Sequence, residues 1–123
     1  MQTRWLRWVL AALAALILLP AAVQAQINPF RGGPGLSQED NRLLFESVAR
    51  LNAAEPTHAG LSEAWSNPQT NASGTSTILR VFHSGGMVCH LVQHHIVVPR
   101  RPPPVSYRLT WCRTSNGEWK IKS

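Results

Sequence analysis

Four potential metal ligands lie close together in the segment GGMVCHLVQHHIVVP, residues 85–99, and no other part of the sequence resembles a chemical site so closely. Cys89, His90, His94 and His95 are side chain types that zinc and other transition metals accept. Whether they could surround one ion depends on the local backbone. Residues at i and i+4 lie side by side on a helix, whereas the same spacing separates them along a strand.

The neighbouring residues predict a strand, and a strand keeps these ligands apart. Valine and isoleucine are frequent after Met87, and Pro99 closes the segment. At a rise of about 3.3 Å per residue, His90 and His94 would share a face but lie roughly 13 Å apart, and His95 would point to the other face. Bonds of about 2 Å to one ion cannot span that distance. We therefore predict no metal site and no cofactor, with the histidines structural or exposed to solvent.

The first 25 residues are predicted to be a secretory signal peptide. They contain two arginines, an apolar run from Trp8 to Leu19, and a small-residue ending with Val23 and Ala25 at the positions that signal peptidase reads. The apolar run is 12 residues long. A membrane-spanning helix needs about 20. We expect cleavage after Ala25 and export without a transmembrane span, and retention of the segment as an anchor is the alternative.

Charge and length limit the remaining part of the chain, residues 26–123, to one basic domain. It contains 10 Lys and Arg against 6 Asp and Glu, which gives a formal net charge of +4. An exported basic chain meets anionic lipids, polysaccharides and cell-wall polymers rather than nucleic acid. We expect a partner in the envelope and none among nucleic acids. The alternative is that the charge serves only solubility.

The N-terminal part of the exported chain is predicted to be an arm followed by a helix. Residues 26–36 are rich in proline and glycine and lack apolar periodicity, which indicates a flexible arm. Ser37 is suited to cap a helix over residues 38–53, with Asp40 as the acid of a capping box. The apolar stripe of this helix includes Leu44, Val48 and Leu51, and Pro56 follows its end.

The domain is predicted to extend over residues 37–123. After the helix, it is predicted to consist of four strands. Two lie within 75–98 and are joined at Ser84-Gly85-Gly86, a third covers 105–113, and a short fourth covers 118–122. Asn116-Gly117 indicates a type I′ turn before the fourth strand. The predicted fold class is α+β, with one N-terminal helix packed on a four-stranded antiparallel meander. Tyr107, Leu109 and Trp111 are expected to face the helix.

Cys89 and Cys112 are predicted to form a disulfide. They are the only cysteines in the sequence, and export would place them in an oxidising compartment. A loop over Ser84–Gly86 would put Val81 opposite Cys89, with Cys112 on the next strand. The bridge would close a loop of 24 residues, counting both cysteines, and contribute roughly 3 kcal/mol in the chain-entropy model.

Several short motifs, in order, resemble the C-terminal domain of the 17 kDa surface-antigen type of envelope protein from Gram-negative bacteria, particularly alphaproteobacteria. The motifs are Trp65-x-Asn67-Pro68, Ser73-Gly74-Thr75, Gly86-x-x-Cys89, Cys112-Arg113 and Gly117-x-Trp119-x-Ile121. The resemblance covers residues 61–122 and implies an exported, antiparallel envelope domain without catalytic residues. The chain lacks the family's lipid-anchor cysteine and glycine-rich zipper, so a direct outer-membrane anchor is not implied.

These observations predict an exported domain of the periplasm or envelope with a structural or interaction role, and no enzyme. Ser84 beside His83 lacks the strand-to-helix turn of a nucleophile elbow, and no phosphate loop or dinucleotide motif is present. Arg100 and Arg101, beside three prolines, are the candidate contact surface for an envelope protein or anionic polymer. A small-molecule carrier with a pocket between helix and sheet is the alternative. The oligomeric state is not predicted.

Overall fold

The computed structural model describes residues 29–30 and 34–122. Its elements are α1 (Gln38–Ala53), β1 (Ser62–Asn67), β2 (Ala72–Ser84), β3 (Met87–Val97), β4 (Val105–Arg113) and β5 (Trp119–Ile121). The strands lie in chain order in one antiparallel sheet. The α+β fold is confirmed, but the prediction of four strands is wrong because the sheet has five.

No helix within the described ranges is long and apolar enough to cross a membrane. The signal peptide predicted over residues 1–25 lies outside these ranges.

The helix begins and ends where the sequence predicts, because its signals are local. Ser37 Oγ accepts from the backbone N–H of Asp40 at 3.0 Å, and Asp40 Oδ2 accepts from the N–H of Ser37 at 2.9 Å. This reciprocal pair is the predicted capping box. The helix ends at Ala53, three residues before Pro56.

Strand β1 is the strand that the sequence analysis missed. Its sequence, SEAWSN, has one large apolar residue and therefore no apolar alternation, yet Trp65 and Asn67 are both buried. Trp65 lies opposite Gly74 of β2, and its indole covers that glycine. A Cβ on Gly74 would lie 2.5 Å from Trp65 Nε1 and 2.8 Å from the carbonyl oxygen of His95, so only glycine leaves room for the indole.

One face of the sheet, the helix side, forms the core with α1. Ile78, Val92 and Ile96 point to this face and are fully buried. They cluster with the predicted helix stripe: Leu44, Val48 and Leu51. Trp111 of β4 also faces the helix, with its ring centroid 6.4 Å from that of Phe45, and Tyr107 and Leu109 pack against the same cluster as expected. Burial of these aliphatic and aromatic groups is the main force that holds α1 on the sheet.

The opposite face, the open face, carries the disulfide and lies away from α1. Its centre is buried, since Cys89 and Cys112 are 0% and 3% exposed. It consists of the positions that alternate with the helix side, such as Cys89, Leu91 and Gln93 of β3. A β-bulge between Ile78 and Arg80 adds one residue, Leu79, to β2. Leu79 is exposed, and no other large hydrophobic residue in the described part of the chain is.

Two hairpin turns differ from the prediction. Gly85 and Gly86 both have positive φ, at 56° and 77°, and form a two-residue turn in place of the predicted three-residue loop. The register is therefore shifted by one residue, and Phe82, not Val81, lies opposite Cys89. In the β4–β5 turn only Gly117 has positive φ, at 87°, so the predicted type I′ turn, which needs two such residues, is wrong.

Phe30, in the segment predicted to be a flexible arm, is buried in the core and 2% exposed. Its ring makes edge contacts with Tyr107 and His94, at centroid distances of 5.3 and 5.4 Å. Pro34 is buried as well. These two positions of the arm therefore pack on the domain.

Candidate functional site

The histidines of β3 lie on a strand, as predicted, and on different faces of the sheet. His90 and His94 point to the helix side and are 1% and 0% exposed, whereas His95 is exposed on the open face. No group of three or more His, Cys, Asp or Glu side chains in residues 29–30 and 34–122 is arranged to hold a metal ion.

His94 is the centre of a buried chain of hydrogen bonds. The indole N–H of Trp111 donates to His94 Nε2 at 3.2 Å, and His94 Nδ1 lies 2.7 Å from Ser76 Oγ. Because an indole nitrogen can only donate, Nε2 must be the acceptor and Nδ1 carries the proton that is donated to Ser76. Burial lowers the pKa of His94 to about 4, so the ring is neutral near pH 7.

His90 is buried between the end of α1 and the start of β5. Its ring stacks on that of Trp119, with centroids 4.3 Å apart, and its Nδ1 donates to Asn52 Oδ1 at 2.9 Å. Nε2 of His90 and Nδ2 of Asn52 have no hydrogen-bond partner in the described part of the chain. Burial lowers the pKa of His90. Both inward histidines are therefore neutral, enclosed packing groups and are not presented to a substrate.

A third buried polar group, Asp40, ties the start of α1 to the turn after β1. Besides the cap, its Oδ1 accepts from Asn67 Nδ2 and Thr70 Oγ1, both at 2.7 Å. Burial alone would raise the pKa of Asp40, but the hydrogen bonds from Ser37, Thr70 and Asn67 together outweigh it and lower the pKa. The carboxylate is ionised and fully engaged in the fold.

The predicted disulfide between Cys89 and Cys112 is confirmed. The two residues lie directly opposite each other on β3 and β4, with Cα atoms 4.1 Å apart. Their side chains lie on the open face, next to Phe82 and Lys120 in the register. The described chain contains no free cysteine, so neither sulfur is available as a nucleophile or ligand.

Arg100 and Arg101 are exposed, as predicted, in the loop between β3 and β4. Neither forms an ion pair within the described ranges. The Arg101 side chain lies over Gly35, where an added Cβ would be 2.8 Å from Arg101 Nε. Gly35 has φ of 79°, so its backbone conformation requires glycine, whereas the exposed end of Arg101 could move aside. The loop arginines therefore lie at the junction between the arm and the domain.

The open face carries a second basic group, the face cations, that the sequence analysis missed. They are Arg80, Arg108, Lys120 and Lys122. Arg80 lies over the ring of Phe82 at 4.5 Å, and Lys122 Nζ donates to Ser84 Oγ at 2.6 Å. No Asp or Glu occupies an open-face position within the strands, although Glu118, next to β5, pairs with Lys120 at 3.5 Å. Once the disulfide is predicted, alternation from Cys112 places Arg108 on its face, so the signal was present in the sequence.

A shallow, solvent-open depression of about 530 Å³ lies where the start of α1 meets the β1–β2 turn. The residues that line it are polar or charged by type: Ser37, Gln38, Glu39, Arg42, Asn67, Gln69 and Thr70. Ligand carriers use enclosed, mainly apolar cavities. This depression does not have that character.

The domain is thus an α+β meander with a cross-strand disulfide and two exposed basic groups. Comparison with known proteins adds no relative: no family model matches the chain, and no curated protein or solved structure matches it significantly. The resemblance to surface-antigen domains stays a prediction from the motifs.

Proposed function

We propose that the chain is an exported domain of the cell envelope with a binding role and no catalytic one, and that it holds an anionic envelope component through its basic surface. The observation that carries the proposal is the separation of charge. Most acidic side chains are already engaged, whereas most basic ones are not.

All the acidic groups except the exposed Glu55 are occupied by the fold. Arg42 bridges Glu39 and Glu46 on α1, Arg50 pairs with Glu63, and Lys120 pairs with Glu118. Asp40 accepts hydrogen bonds as described above. The following cations have no ion pair within the described residues: Arg80, Arg100, Arg101, Arg108, Arg113 and Lys122. Exposed cations without internal partners attract an external anion.

Export is supported by the disulfide, because such bonds persist in oxidising compartments. In most cytosols, the thiols of Cys89 and Cys112 would remain reduced and would not form this bond. The motifs shared with surface-antigen domains point to the envelope of a Gram-negative bacterium.

The binding role is favoured over that of a carrier by the packing between α1 and the sheet. Carriers enclose their ligand in a cavity at such an interface. Here the interface is filled by side chains that are 1% exposed or less, including Leu44, Leu51 and Ile78. A non-catalytic role is supported by the enclosure of the inward histidines. On the open face His95 Nδ1 lies 3.1 Å from Ser106 Oγ, but no Asp or Glu of the described residues binds that ring to orient it, as a catalytic set requires.

The proposal is tested by crosslinking and pull-down from intact envelopes of the source cells, with wild type and R100A/R101A compared at 0.1 M and 1 M salt. The Debye length falls from about 10 Å to about 3 Å over this range, so capture should fade at high salt. Loss of the partner at low salt in the double variant would support the loop arginines as the contact. Capture that is independent of salt, or co-purification of a tightly held small molecule, would reject the proposal.

A further inference from the structure

We infer that the open face of the sheet is the main binding surface and that its ligand is an anionic polysaccharide. This inference rests on the proposed function and specifies its surface and its ligand. It is carried by the arrangement of the face cations and by the groups that lie between them.

The face cations span the sheet. Arg80 lies opposite Leu91, Leu91 lies opposite Thr110, and the Lys122 N–H donates to the Thr110 carbonyl at 2.8 Å. Three strand spacings place Arg80 and Lys122 about 14 Å apart along this row in a flat sheet. The Lys122–Ser84 hydrogen bond, which is formed across β3 and β4, shows that the sheet curls towards this face.

A second row of the open face adds charge beside the first. Arg108 lies two residues from Thr110 on the same strand, which corresponds to about 7 Å along the strand. It pairs in the register with Gln93, and Gln93 with Thr77. Cations, hydroxyl groups and the Gln93 amide therefore share this part of the face, with Leu91 between Arg80 and Thr110. A hydrated linear polymer that bears carboxylate, sulfate or phosphate groups could bind both types of side chain.

The same face fits a polysaccharide better than a membrane. Proteins that bind a lipid interface insert exposed Trp, Phe or Leu side chains into it. Leu79 is the exposed large hydrophobic residue in the described part, and the Phe82 ring is covered by Arg80.

Single-stranded nucleic acid is also disfavoured, because such binding uses exposed aromatic rings on which bases stack. Trp65 and Trp111 are buried on the helix side, and Trp119 is stacked on His90. The rings of the open face, Phe82 under Arg80 and the exposed His95, lie about six residues apart along the sheet, roughly 20 Å, so they form no continuous stacking platform. These properties suit a sugar polymer with acidic groups.

The test measures binding of the purified, oxidised protein to polygalacturonate, to single-stranded DNA, and to phosphatidylglycerol vesicles, all at 0.05 M salt. R108Q/K122Q removes two face cations, and R100Q/R101Q removes the same charge from the loop. R108K/K122R keeps both positive charges and changes only the shape of the two side chains, so it separates an effect of charge from an effect of shape. Thermal unfolding of each variant verifies that the fold is retained.

We expect R108Q/K122Q to weaken polygalacturonate binding about tenfold, the combined effect of two exposed ionic contacts. R108K/K122R should bind as wild type does, and R100Q/R101Q should lose less affinity than R108Q/K122Q. Greater loss in R100Q/R101Q, or equal affinity of R108Q/K122Q and wild type, would overturn the inference while the proposed function stands. Tighter binding to DNA or vesicles would overturn the polysaccharide as ligand. Absence of wild-type binding to all three probes would overturn the proposed function together with this inference.

Discussion

Acidification should destabilise the domain by protonating His94. This ring is 0% exposed, and its Nε2 accepts a hydrogen bond from Trp111. A proton on Nε2 would turn the acceptor into a donor that faces another donor. It would also create a charge among Phe30, Trp111 and Ser76, none of which can neutralise it.

The magnitude follows from the two pKa values of His94. The pKa is about 4 in the folded protein, where burial lowers it, against 6.5 in the unfolded chain. As the pH falls, the unfolded chain takes up the proton first, so stability is complete above about pH 6.5 and is lost progressively towards pH 4. Between pH 7.5 and 4.5 this one group removes about 2.5 kcal/mol from the free energy of unfolding. His90, whose pKa is lowered by burial too, adds to the loss with the same sign.

The assay is urea unfolding of the oxidised protein at pH 7.5 and 4.5, followed by tryptophan fluorescence. His94→Gln keeps an acceptor of similar reach for Trp111 and cannot titrate. His95→Gln, at the exposed neighbouring position, is the matched control. The loss of unfolding free energy between the two pH values should be about 2.5 kcal/mol smaller in H94Q than in wild type and unchanged in H95Q. Equal losses in all three proteins would refute the reasoning.

Three further predictions concern the disulfide, the β1–β2 contact and export. Cys89→Ser and Cys112→Ser should each lower the free energy of unfolding by about 3 kcal/mol, and the double variant by no more, since all three lose one bond; peptide mapping that finds two free thiols would contradict this. Gly74→Ala should destabilise the domain by about 1 to 3 kcal/mol in urea unfolding, because its Cβ would strike the Trp65 indole, whereas a substitution at the exposed neighbour Thr75 should have little effect. Intact-mass analysis of protein from the source cells should show a chain that begins at Gln26, and a retained Met1 would remove the export prediction.

The parts of the fold that the sequence predicts are those with local causes. The capping box fixes the start of α1, and alternation fixes β4. Strand β1 was missed because Asn67 is buried through a hydrogen bond to Asp40, 27 residues earlier in the chain. The burial of Phe30 depends on Tyr107, which lies 77 residues later in the chain and therefore leaves no local pattern.

The candidate site was predicted in part for the same reason. The exposure of Arg100 and Arg101 follows from the adjacent prolines, and the separation of His94 from His95 follows from strand alternation. The face cations were missed because their grouping depends on the register of four strands. That register changes with a single turn residue, as the shift from Val81 to Phe82 opposite Cys89 demonstrates.

The position of the disulfide has a consequence for the order of folding. Cys89 and Cys112 are direct partners across β3 and β4, so in the oxidised unfolded chain the covalent bond still keeps this one native residue pair together. The entropy cost of closing the long proline-containing loop is therefore already met before folding begins. Pairing of β3 with β4 can start from this contact, and this lowers the effective contact order of the oxidised chain. Refolding after denaturation should therefore be faster when the bond is kept intact than when it must form again.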